Sequence, residues 1–330
     1  MPSLDLIWSV LQMFLFIIVS PGVIGTLRAL ERRLQGRQGP SVIQPYYDLW
    51  KWFHRQPVIP DSASWVFHVA PLLVFCCFAL AGFLLPIVYL PAWGFEDPWG
   101  PPLADFIVIA GLFSLARFMI GLAGMDCGSP YSGLGSAREM YMHFMAEPVL
   151  LLSAYSLALN SHTTSLNGIM HIGQKAGLVG LFSNPSLWFC GIALVIIMLS
   201  EVGRIPFDSP DSHLELTMLG KAILLEYSGP HLALLEWAEA MRLTFFMAFI
   251  MNLFFPFWLA APAAGAEVNL IRILLFPLKL FLMIIFLSIW ETTRPKLRLG
   301  RVLGPGSAAL AFAIMAVIVA LEKLKSAEND

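Results

Sequence analysis

The chain has 330 residues, 58% of them hydrophobic and 13% charged, with a mean hydropathy of +0.74 and a formal net charge of −2. Soluble domains run at roughly 45–50% apolar and about 25% charged residues, so a water-soluble enzyme with a polar shell, a disordered chain and a collagen-like chain are all excluded. The balanced charge argues against a nucleic-acid partner, and the expected class is an all-α, polytopic membrane protein.

A membrane-crossing helix needs about 20 mostly apolar residues. Eight runs meet or approach that length: Leu4–Leu27, Trp65–Tyr89, Leu103–Gly124, Arg138–Asn160, Pro185–Gly203, His231–Leu259, Leu270–Trp290 and Ser307–Leu321. The fifth and eighth are the shortest. No Lys or Arg precedes the first run and no small-residue cleavage site follows it, so it reads as a retained helix rather than a signal peptide. After it, Arg28 to Ala63 places Tyr46, Tyr47, Leu49, Trp50, Trp52 and Phe53 around Asp48 and Lys51. That mixture suits a helix lying on the membrane surface or against a partner, and a simple aromatic anchor explains part of it. No internal repeat and no soluble domain boundary appears, so residues 1–330 form one integral membrane domain with longer loops at about 28–64 and 201–230.

An even number of spans puts both termini on one side. The loops on the other side hold Arg28, Arg32, Arg33, Arg37, Lys51, Arg55, Arg138, Arg204, Lys221, Arg294, Lys296, Arg298 and Arg301, thirteen of the twenty basic residues. The terminal side keeps Lys175, Arg272, Lys323 and Lys325. The positive-inside rule therefore puts the termini outside, the basic loops in the cytoplasm, and the chain in the cell's inner membrane as a multi-pass protein.

A charge at mid-bilayer costs at least about 2.5–3.5 kcal/mol on insertion scales, so each one needs an account. The fourth span carries Glu139, His143 and Glu147 at i, i+4 and i+8, stacked along one helix face. Two carboxylates flanking an imidazole make a proton relay, since burial lifts acids toward neutral pKa and His already titrates there. Structural pairing, with Arg138 or with another span, is the alternative. The sixth span repeats the theme with Glu236, Glu239 and Arg242, where a Glu239–Arg242 pair within the helix is the economical reading. Arg117 in the third span and Lys279 in the seventh are natural counter-charges. From the end of the fifth span toward the sixth lie Glu201, Arg204, Asp208, Asp211, His213, Glu215 and Glu226, broken by Pro206 and Pro210. Irregular backbone at a membrane edge is tolerated where it lines a wet cavity or is buried in protein. The segment suits either an ion entry or a docking surface for a soluble partner.

Catalytic signatures are missing. HExxH, GxSxG, P-loop and dinucleotide fingerprints do not occur. Cys76, Cys77, Cys127 and Cys190 have no spacing that holds a zinc ion or an iron–sulfur cluster. His68 and His143 lie in spans, but haem ligation needs paired histidines at matching depths, and a lone intramembrane His is more often a hydrogen-bonded core residue. No metal and no cofactor is expected in this chain.

Glu31-Arg32-Arg33, Arg37-Gln-Gly-Pro40, and Gln44 and Asp48 with Lys51 resemble the first cytoplasmic loop of the ND1-type membrane subunit of respiratory complex I. Gly203-Arg-Ile-Pro-Phe-Asp208, with Leu214-Glu-Leu-Thr217 and Glu226-Tyr-Ser-Gly229, resembles that family's most specific motif, and Arg294-Pro-Lys-Leu-Arg298 is a weaker match. Arg138-Glu-Met140, Met145-Ala-Glu-Pro148 and Gly220-Lys-Ala-Ile-Leu-Leu-Glu-Tyr-Ser-Gly229 look closer to the membrane subunit of group 4 nickel–iron hydrogenases, including formate hydrogenlyases.

The resemblance implies a non-catalytic subunit whose Glu147, Glu201, Asp208, Asp211, Glu215, Glu226 and Glu239 fall on or near a proton path, with Arg138 and Arg204 as basic partners. His213 replaces an acid usual in the quinone-reducing branch. By the same resemblance, Glu31, Arg33, Arg37, Gln44, Asp48, Lys51, Arg294 and Arg298 would dock soluble subunits. Those partners would be a nickel–iron large subunit, a cluster-bearing small subunit and a ferredoxin-like subunit, with the nickel–iron centre and iron–sulfur clusters in them, beside antiporter-like membrane subunits. The alternative is a true ND1-type subunit of an NADH-quinone oxidoreductase, one that helps form a quinone chamber.

Overall fold

The computed structural model describes residues 2–60, 62–87, 105–208, 220–255, 266–295, 297 and 303–329. Its helices are α1 (Pro2–Leu34), α2 (Gln44–Phe53), α3 (Trp65–Leu84), α4 (Phe106–Asp126), α5 (Pro130–Ser161), α6 (Leu166–Phe182), α7 (Pro185–Glu201), α8 (Lys221–Leu224), α9 (Gly229–Phe254), α10 (Ala266–Thr293) and α11 (Leu303–Asn329). The described residues form no strand, only an isolated bridge between Asp105 and Ser165. The protein is all-α and built for a membrane.

The eight apolar runs fall on α1, α3, α4, α5, α7, α9, α10 and α11. Six of these, all but α7 and α9, are long and apolar enough to cross a membrane by length and composition. Helix α7 is shorter, at 17 residues. Helix α9 is long enough at 26 residues, but Glu236, Glu239 and Arg242 dilute its apolar run. Two helices start earlier than their hydropathy suggests, α5 at Pro130 and α11 at Leu303, because polar first turns still satisfy helix geometry. Helix α6 matches none of the eight runs. It bends at Gly177, whose φ of +64° only glycine adopts without strain.

Helix α9 is the centre. Its residues from Ala240 to Leu253 are all buried, the mark of a helix enclosed by others. Helices α1, α2, α3, α6, α7 and α10 pack around it, while α4, α5, α7 and α11 form the adjoining group. Phe106, Phe113, Phe245, Phe246 and Phe249 interlock at ring-centroid separations of 4.8–6.2 Å between α4 and α9. Lipid tails are as apolar as these rings, so close packing and internal polar contacts hold such a bundle together.

Pro21 shows how a local break organises tertiary structure. Proline has no N–H, so the Ile17 carbonyl loses its donor inside α1. Trp237 of α9 supplies one through its indole Nε1–H at 2.8 Å. One residue on, the Tyr46 hydroxyl of α2 donates to the Ile18 carbonyl at 2.6 Å and accepts from the Gly22 amide at 3.1 Å. Burial raises the Tyr46 phenol above its ordinary pKa, offset in part by that Gly22 bond. The expected surface helix, α2, is thereby tied to both α1 and α9. Its Trp50 and Tyr47 stay exposed and Leu49 points inward.

Candidate functional site

The site is assembled by helix ends and one unusual cation. Helix α7 closes in a Schellman turn. The Arg204 amide donates to the Leu199 carbonyl at 2.9 Å and the Gly203 amide to Ser200 at 3.2 Å, with Gly203 at φ +63°. This turn sets Glu201 and Arg204 on either side of the chain reversal.

Arg117 of α4 is 2% exposed and lies between two carboxylates. It pairs with Glu139 of α5, and with Glu201 of α7 at 2.8 Å, where it also donates to the Glu201 backbone carbonyl. Glu201 is 3% exposed and has His143 as a second neighbour at 3.6 Å through Nδ1. The other ring nitrogen of His143 faces Glu147 at 3.7 Å. Ser114 of α4 then donates to Glu147 at 2.7 Å. Arg242 of α9 approaches Glu139 at 3.9 Å. Thus the Glu139, His143 and Glu147 of one helix face meet partners from three other helices.

The depth of this chain of contacts follows from α4. Ser114 lies eight residues from Phe106 and twelve from Asp126, hence about 12 and 18 Å from the two ends of the helix. Glu147 beside it is near mid-bilayer. The contacts descend from there through His143, Glu201 and Arg117 to Glu139.

A solvent-open cavity lies next to Glu139. Arg28, Arg204, Asp208, Lys221, Glu239 and Arg242 also line it. Lys221 reaches Glu236 at 3.3 Å and Glu239 at 3.4 Å. The Glu239 carboxylate first, then Glu236, hold its ammonium above the ordinary lysine range against burial that pushes the other way. The economical Glu239–Arg242 pair does not form within ion-pair distance among the described contacts. Tertiary neighbours replace it, with Lys221 taking Glu239 and Glu139 taking Arg242.

A second buried cluster joins the first through the cavity wall. Arg204 faces Glu291 of α10 at 3.3 Å and Glu31 of α1 at 3.6 Å. Trp290 donates to the Ile205 carbonyl at 3.1 Å and the Leu297 amide to Pro206 at 3.0 Å, so the end of α10 is bound to this loop. Glu31, expected to face soluble partners, is turned into the fold. Arg33, Arg37, Gln44 and Lys51 are exposed, Gln44 bonding to half-buried Asp48 at 3.0 Å. Arg294 is exposed over the Trp290 ring, its guanidinium 5.0 Å from the centroid.

Other expected residues lie apart. Arg138 is half-buried next to Glu139, and Glu226 is half-buried beyond α8. Lys279 bonds to the Phe255 carbonyl at 2.9 Å and to Asn252 at 3.4 Å, away from the carboxylates of the network. Asp211, His213, Glu215 and Arg298 lie outside the described residues. The structure adds Lys221, Glu291, Arg28 and Ser114, which spacing along the sequence does not place in the site. Among the described residues no group of three or more His, Cys, Asp or Glu side chains could hold a metal ion.

Chemically, the set is a cluster of carboxylates, guanidinium groups, one ammonium and one imidazole drawn from several helices. Around Arg117 and Lys221, Arg28 and Arg242 complete four cations facing the five carboxylates Glu139, Glu147, Glu201, Glu236 and Glu239. His143 sits between two of the acids. Low dielectric makes the interactions of such groups sensitive to any charge change nearby.

Residues 7–321 match the family model described as NADH dehydrogenase. The chain is 28% identical over 303 residues to formate hydrogenlyase subunit 4 of Escherichia coli K12, covering 90% of this chain and 92% of that protein. It is 30% identical over 290 residues to hydrogenase-4 component C of the same organism, covering 87% of each. NADH-ubiquinone oxidoreductase chain 1 of Paracentrotus lividus is 27% identical over 298 residues, 86% of this chain and 85% of that one. A chain of the archaeal membrane-bound sulfane sulfur reductase shares the fold, with a TM-score of 0.75 at 21% identity over 94% of this chain and 99% of that one. With a full-length family match, and with relatives among both hydrogenase and NADH-ubiquinone oxidoreductase proteins, the chain belongs to the NADH dehydrogenase family of membrane subunits.

Proposed function

We propose that the chain is the non-catalytic membrane subunit of a group 4 nickel–iron hydrogenase complex of the formate-hydrogenlyase type, in the cell's inner membrane. Its cytoplasmic loops anchor a soluble module made of a nickel–iron large subunit, a cluster-bearing small subunit and a ferredoxin-like subunit. Its buried carboxylates couple electron transfer in that module to proton or sodium movement toward antiporter-like membrane subunits. The redox centres belong to the partners. This chain contributes position and proton affinity.

The observation that carries the reading is the continuous contact chain from Glu147 at mid-bilayer to the cavity at Glu139 and Lys221. A chain serving only as an anchor has no need of five carboxylates in one low-dielectric region. A charge change at a redox centre near the cavity alters the proton affinity of Glu239 and Glu139. Arg117 transmits the change to Glu201, and His143 shares the proton with Glu147. The relatives in formate hydrogenlyase and hydrogenase-4 favour the hydrogenase setting.

Purification of the native complex through a tag on this chain tests it. The expected eluate contains nickel and iron and evolves hydrogen. An intact eluate lacking all three overturns the hydrogenase reading. A quinone-chamber reading would look to the pocket between α1, α2 and α9 lined by Arg28, Asp48, Trp52, Glu236 and Trp237. A photoreactive quinone labelling α2 would support that reading, whereas the hydrogenase reading expects no label.

A further inference from the structure

His68 and His231 lie in the first turns of α3 and α9, and the carboxylate network uses neither. Their imidazole rings have centroids 6.1 Å apart and planes 12° from parallel. Rings in face contact sit closer, as Phe67 and Tyr227 do beside them at 4.0 Å. A direct N–H···N bond would hold two imidazole centroids at about 5.2 Å. An ion held by two ring nitrogens at about 2.0–2.1 Å spaces the centroids by about 5.2 Å in tetrahedral geometry and about 6.4 Å for opposed ligands. The observed spacing falls inside that range.

Neighbouring contacts fix the two first turns. The Tyr227 hydroxyl donates to the Phe67 carbonyl at 3.2 Å, and the two rings stack within 3° of parallel. Ser64 caps α3 by accepting from the Val66 amide, and its own amide and hydroxyl donate to Asp126 of α4 at 2.7 and 2.8 Å. Ahead of α9, the Ser228 hydroxyl accepts from the Val58 amide at 2.6 Å and donates to the Val58 carbonyl at 3.1 Å. The histidines take no part in these bonds, so their spacing is set in advance, as a pair of ligands requires. His68 is exposed and His231 half-buried, which leaves the pair accessible. Half-buried Asp126 and Glu226 lie around Cys127 at the same end of the bundle, and their charge favours a cation there.

We infer that His68 and His231 form a binding site for one divalent transition-metal ion of the zinc type, which bridges α3 and α9 with water completing its coordination. Neutral imidazole is a common ligand for zinc, nickel and copper, whereas magnesium and calcium take oxygen ligands. Two protein ligands make an exchangeable site, since closed structural zinc sites use four. The bound ion clamps the first turn of α9 to α3, on the helix that also carries Glu236 and Glu239. The site is distinct from any nickel–iron centre in a partner, and it stands whether or not the chain serves a hydrogenase.

Equilibrium dialysis of the tagged, purified complex against micromolar zinc-65 tests the site, with His68→Ala, His231→Ala and the double variant alongside. The wild type should hold one zinc ion more than either single variant. The double variant should lose no more than a single one, because both rings hold the same ion. An excess of nickel should displace that ion and an excess of magnesium should not. Equal zinc binding in all four forms, additive losses in the double variant, or displacement by magnesium would overturn the inference. Should His231→Ala fail to assemble, exposed His68 decides the matter alone. As a second measurement, amide hydrogen exchange in residues 229–235 should slow on adding zinc to the wild type and stay unchanged in His68→Ala. Exchange that zinc leaves unaltered in the wild type, or slows equally in His68→Ala, also overturns the bridge.

Discussion

Arg117→Met tests whether the network is held by charge. Arg117 is buried between Glu139 and Glu201, and it also carries the Glu201 backbone carbonyl. A methionine of similar reach fills the space and leaves two carboxylates inside the bundle. Arg242 remains, but at 3.9 Å from Glu139 it offers only a longer-range replacement, and Glu201 is left with His143. Removing one partner of a buried ion pair costs about 3–5 kcal/mol. At about 2.1 cal/mol/K of unfolding entropy per residue, a chain of 330 residues shifts by about 1.4 °C per kcal/mol, so the unfolding midpoint falls by about 4–7 °C. Tryptophan fluorescence of the purified complex during heating reads this directly. The double variant Arg117→Met, Glu201→Gln removes the carboxylate left without a cation and keeps Glu139 beside Arg242, so it should recover most of the loss. If the single variant melts within about 2 °C of the wild type, or the double variant is no better than the single, charge pairing does not hold these helices together.

Glu147→Gln and Glu201→Gln should each assemble normally and weaken coupling between electron transfer and ion movement, because an amide keeps the hydrogen bonds without carrying the proton; full pumping stoichiometry in both would make the acids structural. Arg204→Leu strands Glu31 and Glu291 and frees the end of α10, so limited proteolysis should cut the segment after Gly203 faster, and Glu291→Gln in the same chain should reduce that sensitivity. Gly203→Ala forces a Cβ into a left-handed turn at φ +63°, with an expected loss of about 1–2 kcal/mol, and Gly203→Asn should lose less; equal melting of all three forms would refute the Schellman turn.

Composition and periodicity reach the membrane, the eight runs and the acids stacked on α5, because each of these is a property of one segment. The pairing of those acids is a property of neighbours. Sequence spacing favours Glu239 with Arg242, three apart on one helix. The fold separates them because α8 brings Lys221 against the outer turn of α9 while α5 brings Glu139 to Arg242. Glu291 escapes a linear reading for a similar reason. It follows Trp290 at the end of an apolar run and looks like a loop charge, until α1 and the Schellman turn deliver Arg204 to it. Glu31 has the same history, reading as a surface acid in a basic stretch although α1 carries its helix down to Leu34 and turns it inward. Scarcity of charge names the members of such a network, since few residues qualify. Which helix stands beside α9 decides who binds whom.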